Sequence, residues 1–250
     1  MRIKRTIGLT FVTALMMLST SLVKAETGYE LWMRYVPVQN QTLLSSYRQQ
    51  VNGILVNVNS PTLRVAKNEL INGLNGLLGK KIDTTGKIDV NGIVIAEKYS
   101  SSGITGKAEL KLLMDQAGEE GFVIATRTVN SKKYIIITGN TDVAVLYGTF
   151  HFLRLIQTQQ NTSSLQIVSV PKMKLRMLNH WDNLNRTVER GYSGSSIWNW
   201  HTLPGYIDPR YIDYARANAS IGINGTVLTN VNANATFLTP DYLIKVKALA

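Results

Sequence analysis

Cysteine is absent from the 250 residues, which excludes a disulfide framework and a lipid-modified N-terminal cysteine. Acidic residues are also scarce, with 16 Asp and Glu against 27 Lys and Arg and a formal charge of +11. The basic residues are scattered, and aromatic residues do not alternate with them. A nucleic-acid partner is therefore not expected, because such a surface concentrates basic residues and interleaves aromatics among them. We interpret the charge mainly as solubility, and a weak attraction for acidic ligands stays open.

Long apolar runs are missing too, and the longest lies near the N-terminus. Arg2, Lys4 and Arg5 precede an apolar run at residues 7–22 that Thr and Ser dilute. Residues 23–25 (Val-Lys-Ala) then place small side chains where signal peptidase cleaves. The alternative is a transmembrane anchor, but the run is shorter than the roughly 20 residues that a span needs. We expect a signal peptide at 1–25, export to the periplasm or beyond the cell, no membrane attachment after cleavage, and a mature charge of +7.

Residues 26–170 have the pattern of an N-terminal α/β domain. Apolar residues at helical spacing predict a helix over 61–80, with Ser60 as its N-cap. A second helix is predicted from Thr141 or Asp142 to about residue 159. Strand-like runs lie at 53–59, 87–96, 121–129 and 133–139, and a tight hairpin turn is predicted at Asn130-Ser131. We therefore expect a mixed sheet that packs against helices.

Residues 171–250 have a different pattern. A strand at 174–179 is followed by a loop rich in Trp, Gly and Ser, a helix at 208–222 and a strand at 223–231. A further helix opens at residues 239–241 (Thr-Pro-Asp). Repeated strand-loop-helix units begin a parallel α/β structure, and two units cannot close one. We expect this part to be the start of a larger, truncated fold.

Familiar cofactor and metal motifs fail on inspection. Gly73, Gly76 and Gly79 resemble a phosphate loop, but Lys81 stands where Ser or Thr must bind magnesium. These glycines more simply loosen and end a helix. His151 lies inside an apolar helix, where a core or helix-edge histidine is the favoured interpretation. The other two histidines are not at ligand spacing. No metal and no cofactor is predicted.

Polar residues come directly after two predicted strands. Residues 179–183 (Asn-His-Trp-Asp-Asn) end the first strand, and residues 229–232 (Thr-Asn-Val-Asn) end the second. Ligands of parallel α/β folds bind at the carboxyl ends of the strands, so both segments should face one surface. We predict a binding site there to which His180, Asp182 and Asn230 contribute.

Three of the four tryptophans lie in the same loop: Trp181, Trp198 and Trp200. Aromatic faces complement the apolar C–H face of sugar rings, while Asn, Asp and His bind hydroxyl groups. Loop packing is the alternative for any single tryptophan. Three of them beside polar side chains favour a carbohydrate site.

Carboxyl groups for glycoside hydrolysis are scarce near these strand ends. The reaction needs two, about 5 Å apart for retention or about 6.5–9.5 Å apart for inversion. Only Asp182 and Glu189 are near. Arg186 and Arg190 should lower the pKa of Glu189, which is wrong for a general acid. We assign catalysis to neither, and Asp182 fits a structural or hydroxyl-binding role.

Five stretches resemble glycoside hydrolase family 67, the α-glucuronidases. They are residues 146–155, 179–184, 189–192, 196–198 and 213–233. The last stretch is long, contiguous and very specific. The resemblance covers nearly all of the mature chain but only the first part of the family's catalytic barrel. It implies a hexosaminidase-like N-terminal α/β domain followed by the first units of a (β/α)8 barrel, with the boundary near residue 170.

The activity implied by this resemblance is inverting, exo-acting hydrolysis without a metal. The substrate would be 4-O-methyl-D-glucuronic acid, α-1,2-linked to the terminal non-reducing xylose of a xylo-oligosaccharide. Trp181 and Val231 match the family positions that sheathe the 4-O-methyl group. The catalytic carboxylates and uronate-binding basic residues would lie beyond Ala250. Family members are often dimeric.

Two other functions stay open. One is a different barrel glycosidase with a hexosaminidase-like N-terminal domain, which would act on amino sugars. The other is a non-catalytic carbohydrate-binding protein, if the chain ends at residue 250. An exposed apolar patch on the unfinished barrel counts against the second.

Overall fold

The computed structural model describes residues 26–86, 90–189 and 194–250. The predicted signal peptide at 1–25 lies outside these residues. Within them, no helix has both the length and the apolar character needed to cross a membrane. The chain divides into two compact units after Arg34, and the fold below is that of Tyr35–Ala250.

A five-stranded mixed sheet forms the centre of this unit. Its strands are β1 (Gly53–Val56), β2 (Ile93–Lys98), β3 (Phe122–Val129), β4 (Lys132–Gly139) and β5 (Gln166–Ser169). They are arranged in the order β1-β2-β4-β3-β5. The pairs β1–β2 and β2–β4 are parallel, while β3 runs antiparallel to both β4 and β5. The predicted mixed sheet is thus confirmed.

Helices cover both faces of the sheet. They are α1 (Gln41–Gln50), α2 (Pro61–Leu78), α3 (Ile104–Lys107), α4 (Lys111–Ala117) and α5 (Asp142–Gln157). Alternate strand residues such as Ile95, Val123 and Ile136 pack with Leu110 and Met114 from the α3–α4 side. The alternate residues in between point to the opposite face, because side chains alternate along a strand. There α5 packs against β2, β3, β4 and α2.

Local signals in the sequence predicted several element ends correctly. The Ser60 side chain accepts from the Leu63 amide at the start of α2, and the Thr141 side chain accepts from the Ala144 amide at the start of α5. Asn130 has φ 48° and Ser131 has φ 61°, which is the backbone of a type I′ hairpin turn. Short polar residues tolerate this left-handed conformation better than bulky ones, so the turn closes β3 onto β4.

Other expectations need correction. The strand predicted at 87–96 is β2 at Ile93–Lys98, and residues 87–89 lie outside the described part. Gly73 does not loosen its helix, because it lies within α2 where a Cβ would come within 2.6 Å of Leu153 on α5. It permits close helix packing instead. Gly79 does end the helix, with φ 57°.

A second, two-stranded sheet follows the first. It pairs β6 (Met177–Asn179) with β7 (Gly225–Val227) in parallel, and α6 (Pro209–Ser220) lies between them in the chain. A 3₁₀ turn (Ala235–Leu238) and α7 (Pro240–Leu249) complete the chain. The strand predicted at 223–231 is much shorter than expected. The predicted domain boundary at residue 170 stays a prediction.

A charge pair attaches α6 to the first sheet's helices. Arg216 on α6 donates to the carboxylate of Glu69 on α2, and the Tyr35 hydroxyl donates to the same carboxylate at 2.9 Å. The Glu69 side chain is almost wholly buried. The hydrogen bond with Glu69 raises the pKa of Arg216, and burial raises that of Tyr35. Nearby, Arg154 on α5 donates to the carbonyl of Ser220, the last residue of α6.

We expect Arg216→Ala to lower the free energy of unfolding by about 3–5 kcal/mol, because it leaves the buried Glu69 carboxylate without its counter-charge. Urea unfolding measures this. Asp213→Ala is the matched control, since its carboxylate lies 3.9 Å from Arg216 at the surface and should change stability by under about 0.5 kcal/mol. The double variant Glu69→Leu/Arg216→Leu should recover most of the loss. Equal effects of Arg216→Ala and Asp213→Ala would contradict this account.

Burial raises the pKa of Glu97 above its ordinary value of 4.5, although Glu97 accepts a hydrogen bond from the Thr105 amide. The folded state therefore binds the proton more tightly than the unfolded state does. The free energy of unfolding therefore falls as pH rises from 4.5 through the pKa of Glu97 in the folded state, because the buried carboxyl group loses its proton. We expect Glu97→Gln to remove this decline in the free energy of unfolding over that range. The exposed Glu109→Gln serves as control, and an unchanged pH dependence in Glu97→Gln would refute the assignment.

Candidate functional site

Main-chain hydrogen bonds bring the segments after β6 and β7 together. The His180 amide donates to the Val227 carbonyl at 3.0 Å, and the Asn230 amide donates to the Asp182 carbonyl at 3.1 Å. The Asn230 side chain, itself buried, donates to Asn183 Oδ1 at 2.6 Å. The two predicted site segments therefore lie side by side at the carboxyl ends of the parallel strands.

His180 lies at the centre of a polar network. Its Nδ1 is 3.4 Å from Asp182 Oδ2, and its Nε2 is 2.7 Å from the Tyr214 hydroxyl on α6. The Tyr214 hydroxyl in turn lies 3.0 Å from Thr226 Oγ1 on β7. Asp182 is only 4% exposed. With the ring neutral, an Nδ1–H that donates to Asp182 leaves Nε2 to accept from Tyr214.

Glu189 also takes part in holding this surface together. Its amide donates to the Trp181 carbonyl at 2.8 Å, and its carboxylate accepts from Asn232 Nδ2 at 2.9 Å. The Arg186 guanidinium, expected beside Glu189, donates to the Ser196 carbonyl. Arg190 lies outside the described residues. Glu189 thus connects the loop after β6 with the loop after β7, which fits a structural role.

The loop tryptophans differ sharply in exposure. Trp181 is 38% exposed and Val231 is 94% exposed, each beside a polar site residue. Trp198 and Trp200 are 3% and 0% exposed and pack in an aromatic cluster with α6 and α7. For Trp198 and Trp200, the alternative of loop packing therefore holds. The apolar surface available at the strand ends comes from Trp181 and Val231.

Tyr214 and Asn232 are contributors that the sequence patterns did not single out. Tyr214 lies 34 positions from the histidine it bonds, and its ring also packs against His180 and Trp198 at centroid distances of 5.4 Å each. No pattern in the nearby sequence indicates that a tyrosine on this helix binds a histidine so far along the chain. Asn232 is the last residue of the polar run at 229–232, which was its only signal.

A cavity lies at the other end of the strand pair. It measures about 220 Å³, and Arg176, before β6, and Gly222, before β7, line it together with His151. Burial lowers the pKa of His151, and nearby Arg154 adds to the effect. Within the part of the chain that the structure describes, no cluster of three or more His, Cys, Asp or Glu could hold a metal ion.

Two consecutive parts of the chain match the same known protein family. Residues 31–152 match the N-terminus of glycosyl hydrolase family 67, and residues 155–250 match the middle domain of the same family. Both matches place the chain among the glycoside hydrolases. It belongs to family 67, of which it carries N-terminal and middle-domain sequence.

Curated relatives carry the name alpha-glucuronidase. Alpha-glucuronidase A of Emericella nidulans is 30% identical over 240 residues, which is 90% of this chain and 27% of that protein. Alpha-glucuronidase of Hypocrea jecorina is 31% identical over 242 residues, 91% of this chain and 28% of that protein. The chain spans about a quarter of the length of these relatives. The solved structure of a GH138 enzyme targeting pectin rhamnogalacturonan II is similar with a TM-score of 0.49 at 15% identity, over 79% of this chain and 22% of that one.

We expect Tyr214→Phe to lower the free energy of unfolding by about 1 kcal/mol, because His180 Nε2 loses its hydrogen-bond partner. The change should also shift the His180 ring resonances in ¹H–¹⁵N spectra. The control is Tyr206→Phe, since Tyr206 is exposed. Unchanged His180 resonances in Tyr214→Phe would show that the network does not exist in solution.

Proposed function

We propose that the surface formed by Trp181, Val231, His180, Asp182 and Asn230 is part of the substrate site of an α-glucuronidase. One observation carries this proposal: the exposed Trp181 and Val231 flank buried polar groups at adjacent carboxyl ends of two parallel strands. An apolar surface above fixed hydrogen-bonding groups suits a sugar ring, which has an apolar C–H face and hydroxyls at its edge.

The substrate class follows from the family. Its relatives are named for glucuronidase activity, which implies a carbohydrate that carries glucuronic acid. We propose that Trp181 and Val231 sheathe a 4-O-methyl group of that sugar. The proposed bond is the α-1,2 linkage to the terminal xylose of a xylo-oligosaccharide, hydrolysed with inversion. The net positive charge favours encounter with an acidic sugar.

The catalytic groups are proposed to lie outside these 250 residues. The Asp182 carboxylate contacts His180, and the Glu189 carboxylate accepts a hydrogen bond from Asn232. We therefore assign neither of them as the general acid or the general base. In this proposal β6 and β7 are the first two strands of a (β/α)8 barrel. Export through the signal peptide at 1–25 and a homodimeric full-length protein are further parts of the proposal.

Trp181→Ala in the full-length gene product should raise KM several-fold for a xylo-oligosaccharide that carries 4-O-methyl-D-glucuronic acid, because the sugar loses its apolar contact. Initial-rate kinetics measure the effect. Trp32→Ala is the control, since Trp32 is an exposed tryptophan far along the sequence from the site. Unchanged KM and kcat in Trp181→Ala would mean that this tryptophan only packs.

The reading frame past codon 250 tests where the catalytic carboxylates lie. Further strand-helix units with Glu or Asp at their strand ends would support the enzyme proposal. Activity on amino sugars instead would favour a different barrel glycosidase. A stop codon directly after Ala250 would leave carbohydrate binding without hydrolysis, to be measured by calorimetry with the same oligosaccharide.

A further inference from the structure

The Glu120 carboxylate contacts the residues that directly precede the two strands of the second sheet. Glu120, between α4 and β3, accepts from the Arg176 guanidinium and, at 3.1 Å through each oxygen, from Asn224 Nδ2. Arg176 directly precedes β6, and Asn224 directly precedes β7. The Arg176 and Glu120 side chains are 19% and 32% exposed, so water screens the contact only in part.

Arg176 and Asn224 are also bonded to each other. The Arg176 amide donates to Asn224 Oδ1 at 2.9 Å, and the Asn224 amide donates to the Arg176 carbonyl at 2.9 Å. Arg176 further donates to the Gly222 carbonyl at 2.6 Å, which links the α6–β7 connection to the residue before β6. The pair therefore begins the ladder in which Met177 lies opposite Gly225.

The register of this ladder controls the candidate site. Each strand has only three residues, and His180 lies four residues after Arg176, so the Arg176 end of the ladder is only about 13 Å from His180 at roughly 3.3 Å per residue. A slip of one residue would turn every following side chain to the opposite face. His180 would then lose its alignment with Val227, and the Tyr214–Thr226 contact would break. A ladder of three pairs has little capacity of its own to prevent this slip.

We propose that Glu120 is a positioning residue, which fixes the β6–β7 register through Arg176 and Asn224 and so aligns the site at the opposite ends of the strands. Only the use of that site for a sugar rests on the proposed function. The alignment itself is a property of the fold, and it is testable without substrate.

Amide hydrogen exchange of the 250-residue chain provides the test. In Glu120→Ala and the milder Glu120→Gln, the amides of His180 and Asn230 should exchange about tenfold faster or more, because local opening of the strand pair becomes easier. The amide of Ile136, a fully buried residue of β4, should be unchanged. Glu119→Ala and Glu119→Gln are matched controls, since this exposed neighbour undergoes the same change in charge.

Unchanged exchange at His180 and Asn230 in the Glu120 variants would overturn the proposal. An equal acceleration at Ile136 would also overturn it, because it would show only a general loss of stability. If the exchange result holds but the wild-type full-length protein neither binds nor cleaves the uronic-acid oligosaccharide, the proposed function fails and the positioning role stands. If both hold, the Glu120 variants should also raise KM for that oligosaccharide.

Discussion

The parallel pairing of β6 with β7 is the interaction on which the candidate site depends. Both strands have three residues, and a two-stranded sheet of that length is not stable by itself. Hydrogen bonds at its amino end and the packing of α6 beside it supply the missing constraint. The alignment of the strands also sets the positions of the loops that follow them, so the His180 amide donates to the Val227 carbonyl.

The first sheet's layer serves as the frame for this pairing. Glu69 on α2 holds Arg216 of α6, and Arg154 on α5 binds the last carbonyl of the same helix. Partly buried ion pairs add little net stability, because desolvation offsets much of the attraction. Their directional hydrogen bonds select one placement of α6 among several that apolar packing alone would allow. The segment that matches the family's N-terminus thus helps to position the segment that matches its middle domain.

Much of the first sheet was predictable because its signals are local. The caps at Ser60 and Thr141 act within one helical turn, and the hairpin at Asn130-Ser131 depends on two backbone angles. Helices α1, α3 and α4 were missed, because they are short and their apolar spacing is weak. The strand predicted at 223–231 ends at Val227 instead, since Asn230 leaves the ladder to bond Asp182 and Asn183.

The sequence by itself determined the family, the mixed sheet and the two polar segments that end β6 and β7. These features depend on residue types at short spacing, which a linear pattern retains. Only the tertiary structure decided that Trp181 stays exposed while Trp198 and Trp200 are buried, and that Tyr214 rather than a neighbour in sequence binds His180. Exposure and long-range pairing depend on which helix covers which loop, and that information is spread over residues distant in the chain.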